Sequence, residues 1–375
     1  MYYLLNKNKV IAEFEVTEFD TINIKEVFTT LPEWISDLRT FIVNRRAPKH
    51  RENIEELLKI SGCDTNKGFL DVSHALSLID TFWAKPINSN LTWEDVSLYT
   101  HPFNETIAKT AFEGGLHGLE FSSTSPEYGT DGTYAKCWVR ENGQIKLLKR
   151  GSSGACNAGL EPYSEFYASQ LAKFFTDDFV SYGLRSKHGR ILSVCDIFTS
   201  EQFGFLPYAA VDRNNSIYET VIELMSKYNL DDQVRKMFVF DSIIMNEDRH
   251  KNNFGFMVDN DKQEIVGMAP WFDHNLSLLP YAMQDDFEDF DNYFSMKGPR
   301  LERDFILGAK MCLTDETRSI VSQLRDFEFT RHPKYNLPEW RLQAIERIIQ
   351  QNVRKILGED NTNVYNVWNK DLNVF

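Results

Sequence analysis

What most constrains this chain is the order of its textures: glycine-bracketed, strand-like runs come first, and helical periods dominate after Phe198. Glu105–Glu113 reads as a helix capped by Asn104 and stopped by Gly114-Gly115. Tyr134–Arg140 and Ile145–Lys149 read as strands, with Asn142-Gly143 between them as a strong hairpin signal. Glu161–Phe175 reads as a helix with Pro162 in its first turn, and Ile191–Val194 and Ile197-Phe198 as strand runs. Beyond them, Asp231 or Asp232 caps a helix running to Ile244. The last long helix spans Pro338 to Gly358, with Leu342, Ile345, Ile348, Ile349, Val353 and Ile356 as its buried stripe. Strands segregated ahead of helices predict an α+β protein with two lobes. We place a strand-rich N-lobe at 106–198 and a helical C-lobe at 199–375, preceded by an accessory region, 1–105. Within that region Tyr2–Leu5 and Val10–Val16 read as a hairpin, and Ile54–Ile60 as a helix. The basic cluster Arg45–Arg51 reads as solvated surface.

Composition sets outer limits. A chain of 375 residues with 28 Phe, 15 Tyr and 7 Trp can fill a sizeable core, which excludes disorder as its default state. Its formal charge of −14 repels phosphate backbones and anionic lipid, so neither nucleic acid nor a membrane is an expected partner. Cys63, Cys137, Cys156, Cys195 and Cys312 are scattered, without a C-x-x-C pair, and read as reduced thiols. No apolar run has signal-peptide or membrane-span length, so the expected compartment is the cytoplasm. His188, His250 and His274 make no zinc spacing, and no G-x-S-x-G elbow is present.

The chemistry concentrates in Asn246–Phe256 and in Pro270-Trp271-Phe272-Asp273. Phe254, Phe256 and Val258 alternate as a strand, Asp259–Lys262 is a turn, and Glu264–Met268 returns. That hairpin would bring Asp273 back beside the loop carrying Asp248 and Asn253. Phosphoryl transfer needs a carboxylate to orient the attacking hydroxyl, and an amide oxygen with a second carboxylate to hold Mg²⁺ against the phosphates. Asp248 fits the first role, with Asn253 and Asp273 as metal ligands. A capped turn bonding its own backbone is the simpler use of Asp248 and Asn253. Arg249 and His250 either touch phosphate or fix the loop.

Asp248-Arg249-His250, followed by Asn253, Gly255-Phe256 and Phe272-Asp273, resembles the HipA-like kinases. That family includes bacterial toxin kinases and is related in fold to the phosphatidylinositol 3/4-kinases. The similarity runs from about Tyr128 to Leu279. It implies a bilobal protein-kinase-like fold, ATP and Mg²⁺ as cofactors, and Asp248, Lys149 and Glu165 as catalytic residues. Lys149 matches the strand lysine that contacts nucleotide phosphates, with Lys146 on the opposite strand face as its rival. Glu165 matches the helix glutamate that pairs with that lysine, although it lies off the apolar stripe and also reads as a solvated side chain. Gly129, Thr130 and Gly132 resemble a phosphate-covering loop, with Lys136 in the next strand. Thr130 and Thr133 are its candidate autophosphorylation positions, although the family's typical serine-containing loop is not reproduced. Cys195–Phe198, including Asp196, resembles the hinge whose backbone holds adenine. The resemblance implies transfer to a serine or threonine hydroxyl of a protein substrate, a toxin or stress-regulatory role, and an antitoxin or regulatory partner. A lipid or small-molecule kinase and a non-catalytic nucleotide-binding protein are the alternatives. Asp285–Asp291 reads as a solvated acidic loop or as a docking surface for a basic substrate.

Overall fold

The computed structural model describes residues 1–115 and 123–359. The chain divides into two compact units that do not follow chain order. One gathers Met1–Gly151, Ser186–Arg213 and Phe254–Ala269; the other holds Ser152–Arg185, Asn214–Asn253 and the chain from Pro270 onward.

Three antiparallel sheets carry the strands, and every strand but the one at Gly183–Lys187, which begins within Ser152–Arg185, falls in the first unit. β1 (Tyr2–Asn6), β2 (Lys9–Val16), β3 (Ile22–Val27) and β4 (Phe82–Pro86) pair in the order β3-β2-β1-β4. β5 (Lys136–Glu141), β6 (Gln144–Arg150), β7 (Gly183–Lys187) and β8 (Arg190–Asp196) pair as β5-β6-β8-β7. Asn142 and Gly143 turn β5 into β6 with φ of 51° and 81°, the positive pair that a two-residue hairpin with strand-like twist requires. β9 (Phe203–Pro207) lies beside β10 (Gly255–Asp259), whose other neighbour is β11 (Glu264–Met268). β9 falls where helices were expected to take over. Ile197-Phe198, expected as strand, lies just beyond the end of β8.

Residues 1–105 share their core with the rest of this unit. Leu4, Phe14, Leu57, Phe69 and Phe82 pack with Ile107, Ala111 and Tyr128, while Leu5, Trp83 and Trp93 pack with Ile145. Polar contacts extend the union. Asn6 Nδ2 donates to the Asn260 carbonyl at the β10–β11 turn (2.6 Å), and Asn260 Nδ2 donates to the carbonyls of Ser200 and Glu201 at 3.2 and 3.3 Å. Glu201 in turn accepts from Trp93 Nε1 at 2.9 Å and Ser97 Oγ at 2.6 Å.

The basic cluster corrects a sequence expectation. Arg45 and Arg51 are buried rather than solvated. Arg45 forks onto Asp80 at 2.7 and 2.6 Å and also donates to the carbonyls of Ala75 and Phe82. Arg51 bonds Glu127 Oε2 at 2.7 Å, with both side chains fully shielded, and reaches the carbonyls of Glu127, Thr130 and Lys136. Burial pushes the Glu127 carboxyl up, against the opposing pull of Arg51. Removing one partner strands the other charge in the core. Arg51→Met is therefore expected to cost about 3–5 kcal/mol in urea unfolding. The same change at exposed Lys49 should stay within about 0.5 kcal/mol.

The second unit is helical. Glu161–Ala172 begins with Pro162 inside its first turn, Asp231–Ile243 is buried along most of its second half, and Glu339–Leu357 ends on Gly358 at φ 77°. Phe175, Phe240 and Trp271 pack ring on ring at 5.2–6.2 Å. Leu230, not an aspartate, occupies the N-cap of Asp231–Ile243. Asp231 and Asp232 sit one step later, where their charges oppose the positive end of the helix dipole. The acidic run is helical, in Gln284–Glu288 and Phe290–Ser295, because buried Phe287 and Phe290 anchor it while Asp285, Glu288 and Asp289 stay exposed. No helix among the described residues is long and apolar enough to cross a membrane.

Candidate active site

Asp248 sits in a loop that starts where the Asp231–Ile243 helix runs out. Met245 takes φ 55°, and Asn246 then folds back: its N–H donates to the Asp241 carbonyl at 2.8 Å and its Nδ2 to Asp241 Oδ1 at 3.0 Å. Asn246 Oδ1 accepts the Asp248 N–H at 3.1 Å, so the loop is held from both sides. His250 N–H returns to the Asp248 carbonyl at 2.7 Å, and Asn253 N–H to the His250 carbonyl at 2.8 Å. Asn253 Nδ2 donates to the Asp248 carbonyl at 3.0 Å, which orients its amide and turns Oδ1 to the opposite side. This is the backbone-bonded capped turn of the simpler sequence reading. It also presents one carboxylate and one amide oxygen from a short loop.

Asp273 arrives after the β10–β11 hairpin. Trp271 anchors the approach, its N–H bonded to the Asp178 carbonyl at 3.0 Å and its carbonyl accepting from Val180 N–H at 2.9 Å. Asp273 takes φ 58°, a left-handed conformation that aspartate tolerates better than most side chains, and its N–H donates to the Tyr182 hydroxyl at 3.1 Å. Arg249 joins this segment to the Asp248 loop. Its Nη1 donates to the Asn253 carbonyl at 2.7 Å and the Phe272 carbonyl at 2.6 Å. Arg249 is buried and forks onto Asp241. Of its two sequence readings, fixing the loop is the one its contacts support.

The charges are arranged unevenly. Burial is the main cause that pushes the Asp248 carboxyl above its ordinary range. The negative charge of Asp273 acts in the same direction, while His250, Arg300 and Arg249 oppose it. His250 Nε2 lies 3.9 Å from Asp248 Oδ2. Asp248 and Asp273 act on each other's charge, and the Asp273 carboxylate and the Asn253 amide oxygen are both hard oxygen donors of the kind Mg²⁺ prefers. Among the described residues no three His, Cys, Asp or Glu side chains gather as a metal cluster. Mg²⁺ needs no such cluster, because it keeps several waters and takes one or two carboxylates.

The remaining candidates have distinct surroundings. Lys149 and Lys136 are both buried and stand directly opposite each other across β5 and β6. Lys146, the rival, is ion-paired with Asp196. Gly132, at φ 109°, leaves room that Lys136 uses: a Cβ there would lie 1.9 Å from its Nζ. Gly129 is glycine for a packing reason, since a Cβ would come within 2.8 Å of the Leu76 carbonyl oxygen. Thr130 Oγ1 donates to the Pro126 carbonyl at 2.7 Å and accepts from Trp138 Nε1 at 2.9 Å, whereas the Thr133 side chain is exposed. Phe198 packs edge-on against Phe205. Glu165 is buried in its helix, not solvated, with 1% of its surface exposed. The structure thus gathers Asp248, Asn253 and Asp273 within one unit, and Gly129, Thr130, Gly132, Lys136, Lys149, Asp196 and Phe198 within the other.

Sequence reasoning missed Asp241, Tyr182 and the buried role of Arg51. Asp241 carried a signal: it is a lone carboxylate inside the apolar run Phe238–Ile244, where an unpaired charge would be costly.

No family model and no curated protein matches the sequence. Solved structures do match. A chain of the Shewanella oneidensis toxin–antitoxin complex of HipA, HipB and operator DNA superposes with a TM-score of 0.53 at 13% identity, covering 96% of this chain and 98% of that one. The Helicobacter pylori proinflammatory kinase CtkA aligns at 16% identity and a TM-score of 0.49, covering 65% of this chain and 96% of its own. The chain has a HipA-like kinase fold.

Proposed function

We propose that this chain is an ATP- and Mg²⁺-dependent kinase that transfers the γ-phosphate to a serine or threonine hydroxyl of a protein. The carrying observation is the convergence of the Asp248, Asn253 and Asp273 segments on one buried arginine, within a HipA-like fold. Asp248 orients the acceptor hydroxyl and accepts its proton, a role suited to a carboxyl held above its ordinary range. Asn253 Oδ1 and the Asp273 carboxylate would hold Mg²⁺, which when bound would offset the charge of the transferring phosphoryl group. Lys149 and Lys136, with backbone groups of the Gly129–Gly132 loop, bind phosphate oxygens, and Glu165 is the third catalytic residue of this reading. Backbone groups near Asp196 and Phe198 bind adenine. Residues 1–105 serve as an accessory region, 106–198 as the N-lobe and 199–375 as the C-lobe. A cytoplasmic setting and an antitoxin or regulatory partner complete the reading, supported by the HipA-like fold alone.

The test is to incubate the purified chain with Mg²⁺ and γ-labelled ATP, alone and with cell lysate, beside Asp248→Ala. Label on protein serine or threonine that disappears in the variant is the expected result. Label on lipid or a small molecule would replace the acceptor class. ATP binding without transfer to any acceptor would make the chain a nucleotide-binding protein and overturn the proposal.

A further inference from the structure

We infer that Asp241 and Arg249 form a positioning pair that sets the spacing of Asn253 and Asp273, and so governs how tightly the site holds a divalent cation. The inference rests on reading those two residues as the cation's ligands. It goes beyond that reading by assigning the geometry to a buried pair that touches neither cation nor substrate.

Arg249 has no donor to spare. A guanidinium carries five N–H groups in a fixed plane. Here Nε meets Asp241 Oδ2 at 2.8 Å and Nη2 meets Asp241 Oδ1 at 3.0 Å. Nη1 meets the Asn253 carbonyl at 2.7 Å and the Phe272 carbonyl at 2.6 Å, while the second Nη2 donor faces His274 Nδ1 at 3.0 Å. Every direction the group offers is therefore used. Asp241 belongs to the last turns of a buried helix, so the fork has a rigid origin. Asn246 Nδ2, also on Asp241 Oδ1, ties the start of the Asp248 loop to the same carboxylate. One nitrogen, Nη1, thus holds the backbone of one proposed ligand and the peptide immediately before the other. Moving either loop breaks a bond at that nitrogen. Arg249 is only 2% exposed, which removes it from contact with a bound nucleotide and makes it a positioning residue.

A pair that merely holds the fold together would behave differently, and two variants separate the cases. Replacing both members of a buried ion pair by apolar residues of similar size commonly preserves stability, whereas removing one member does not. Asp241→Leu with Arg249→Met therefore retains a packed core without the fork. Arg249→Lys keeps the charge beside Asp241 but cannot hold two carbonyls in one plane. Thermal unfolding without ligand reports the fold. Calorimetric titration with Mn²⁺ in the presence of a non-hydrolysable ATP analogue reports the cation. Both variants are expected to weaken cation binding about 10- to 100-fold, the usual cost of losing a group that orients ligands, with metal-free nucleotide affinity unchanged. Wild-type cation affinity in a folded double variant would overturn the inference. If the double variant fails to fold, Arg249→Lys decides the matter by the same comparison. A wild-type chain whose nucleotide binding ignores divalent cations would instead overturn the ligand reading, and this inference with it.

Discussion

Asp248→Ala is expected to lower kcat by about 10²–10⁴-fold, the range associated with losing a positioned general base. KM for ATP should change little, because the role proposed for the side chain is on the acceptor. The pH profile carries the sharper signature. Burial holds the Asp248 carboxyl up, and the charge of Asp273 adds to that effect. Only the ionised form accepts a proton, so activity should rise with pH through a value above the usual carboxylate range of about 4. Removing the Asp273 charge would move that acidic limb to lower pH. Stability should run the opposite way. A carboxyl whose pKa folding has raised weakens the folded state once pH exceeds the folded value, and has no effect below the unfolded one. Asp248→Asn is thus expected to unfold at higher urea than the parent at neutral pH, and at the same urea in acid. Unchanged turnover in Asp248→Ala would remove Asp248 from the chemistry altogether.

Asp273→Asn should cost on the order of 10²–10³ in kcat, comparable to deleting one preorganised electrostatic group. Asparagine suits this test because it accepts the left-handed backbone that Asp273 adopts at φ 58°, so the fold need not rearrange. The exchange leaves the shape and removes the charge. A metal ligand weakened in this way should be partly compensated by cation concentration. The Mg²⁺ dependence of the rate is therefore expected to shift upward by about tenfold or more, while unfolding midpoints stay close to the parent. An unaltered Mg²⁺ dependence in an impaired enzyme would assign Asp273 to acceptor binding; unaltered turnover would remove it from the site.

Local chemistry explains which elements were legible in the sequence. Asn104 caps its helix through Ile107 N–H at 3.1 Å, and Asn142-Gly143 makes its hairpin, because each depends on residues within a few positions of itself. The spacing of Asp248, Asn253 and Asp273 was readable for the same reason: a helix end, a tight loop and a hairpin are short-range structures. β9 escaped notice because Gly204, Phe205 and Leu206 are all buried, which erases the alternation that marks a half-exposed strand. The end of the Glu161 helix was overrun by three residues, since Phe174 kept the helical spacing of Tyr163, Phe166, Tyr167 and Leu171 after the helix stopped at Ala172.

Sequence by itself determined the α+β character, the helix caps and hairpin turns, and the residue types able to carry the chemistry. Each follows from backbone preference or side-chain chemistry acting over a few residues. Only the tertiary structure decided which charges are buried. Arg45 and Arg51 look like their exposed neighbour Lys49 in sequence, yet they find carboxylates 35 and 76 positions away. Glu165 departs from its helix's apolar stripe and is buried nonetheless. The same holds for Arg249, whose role depends on Asp241, Asn253 and Phe272 meeting at one guanidinium. An ion pair in the core is specified by partners that chain order does not bring together. Its physical consequence, a carboxylate or guanidinium that cannot be left alone out of water, exists only once the chain has folded.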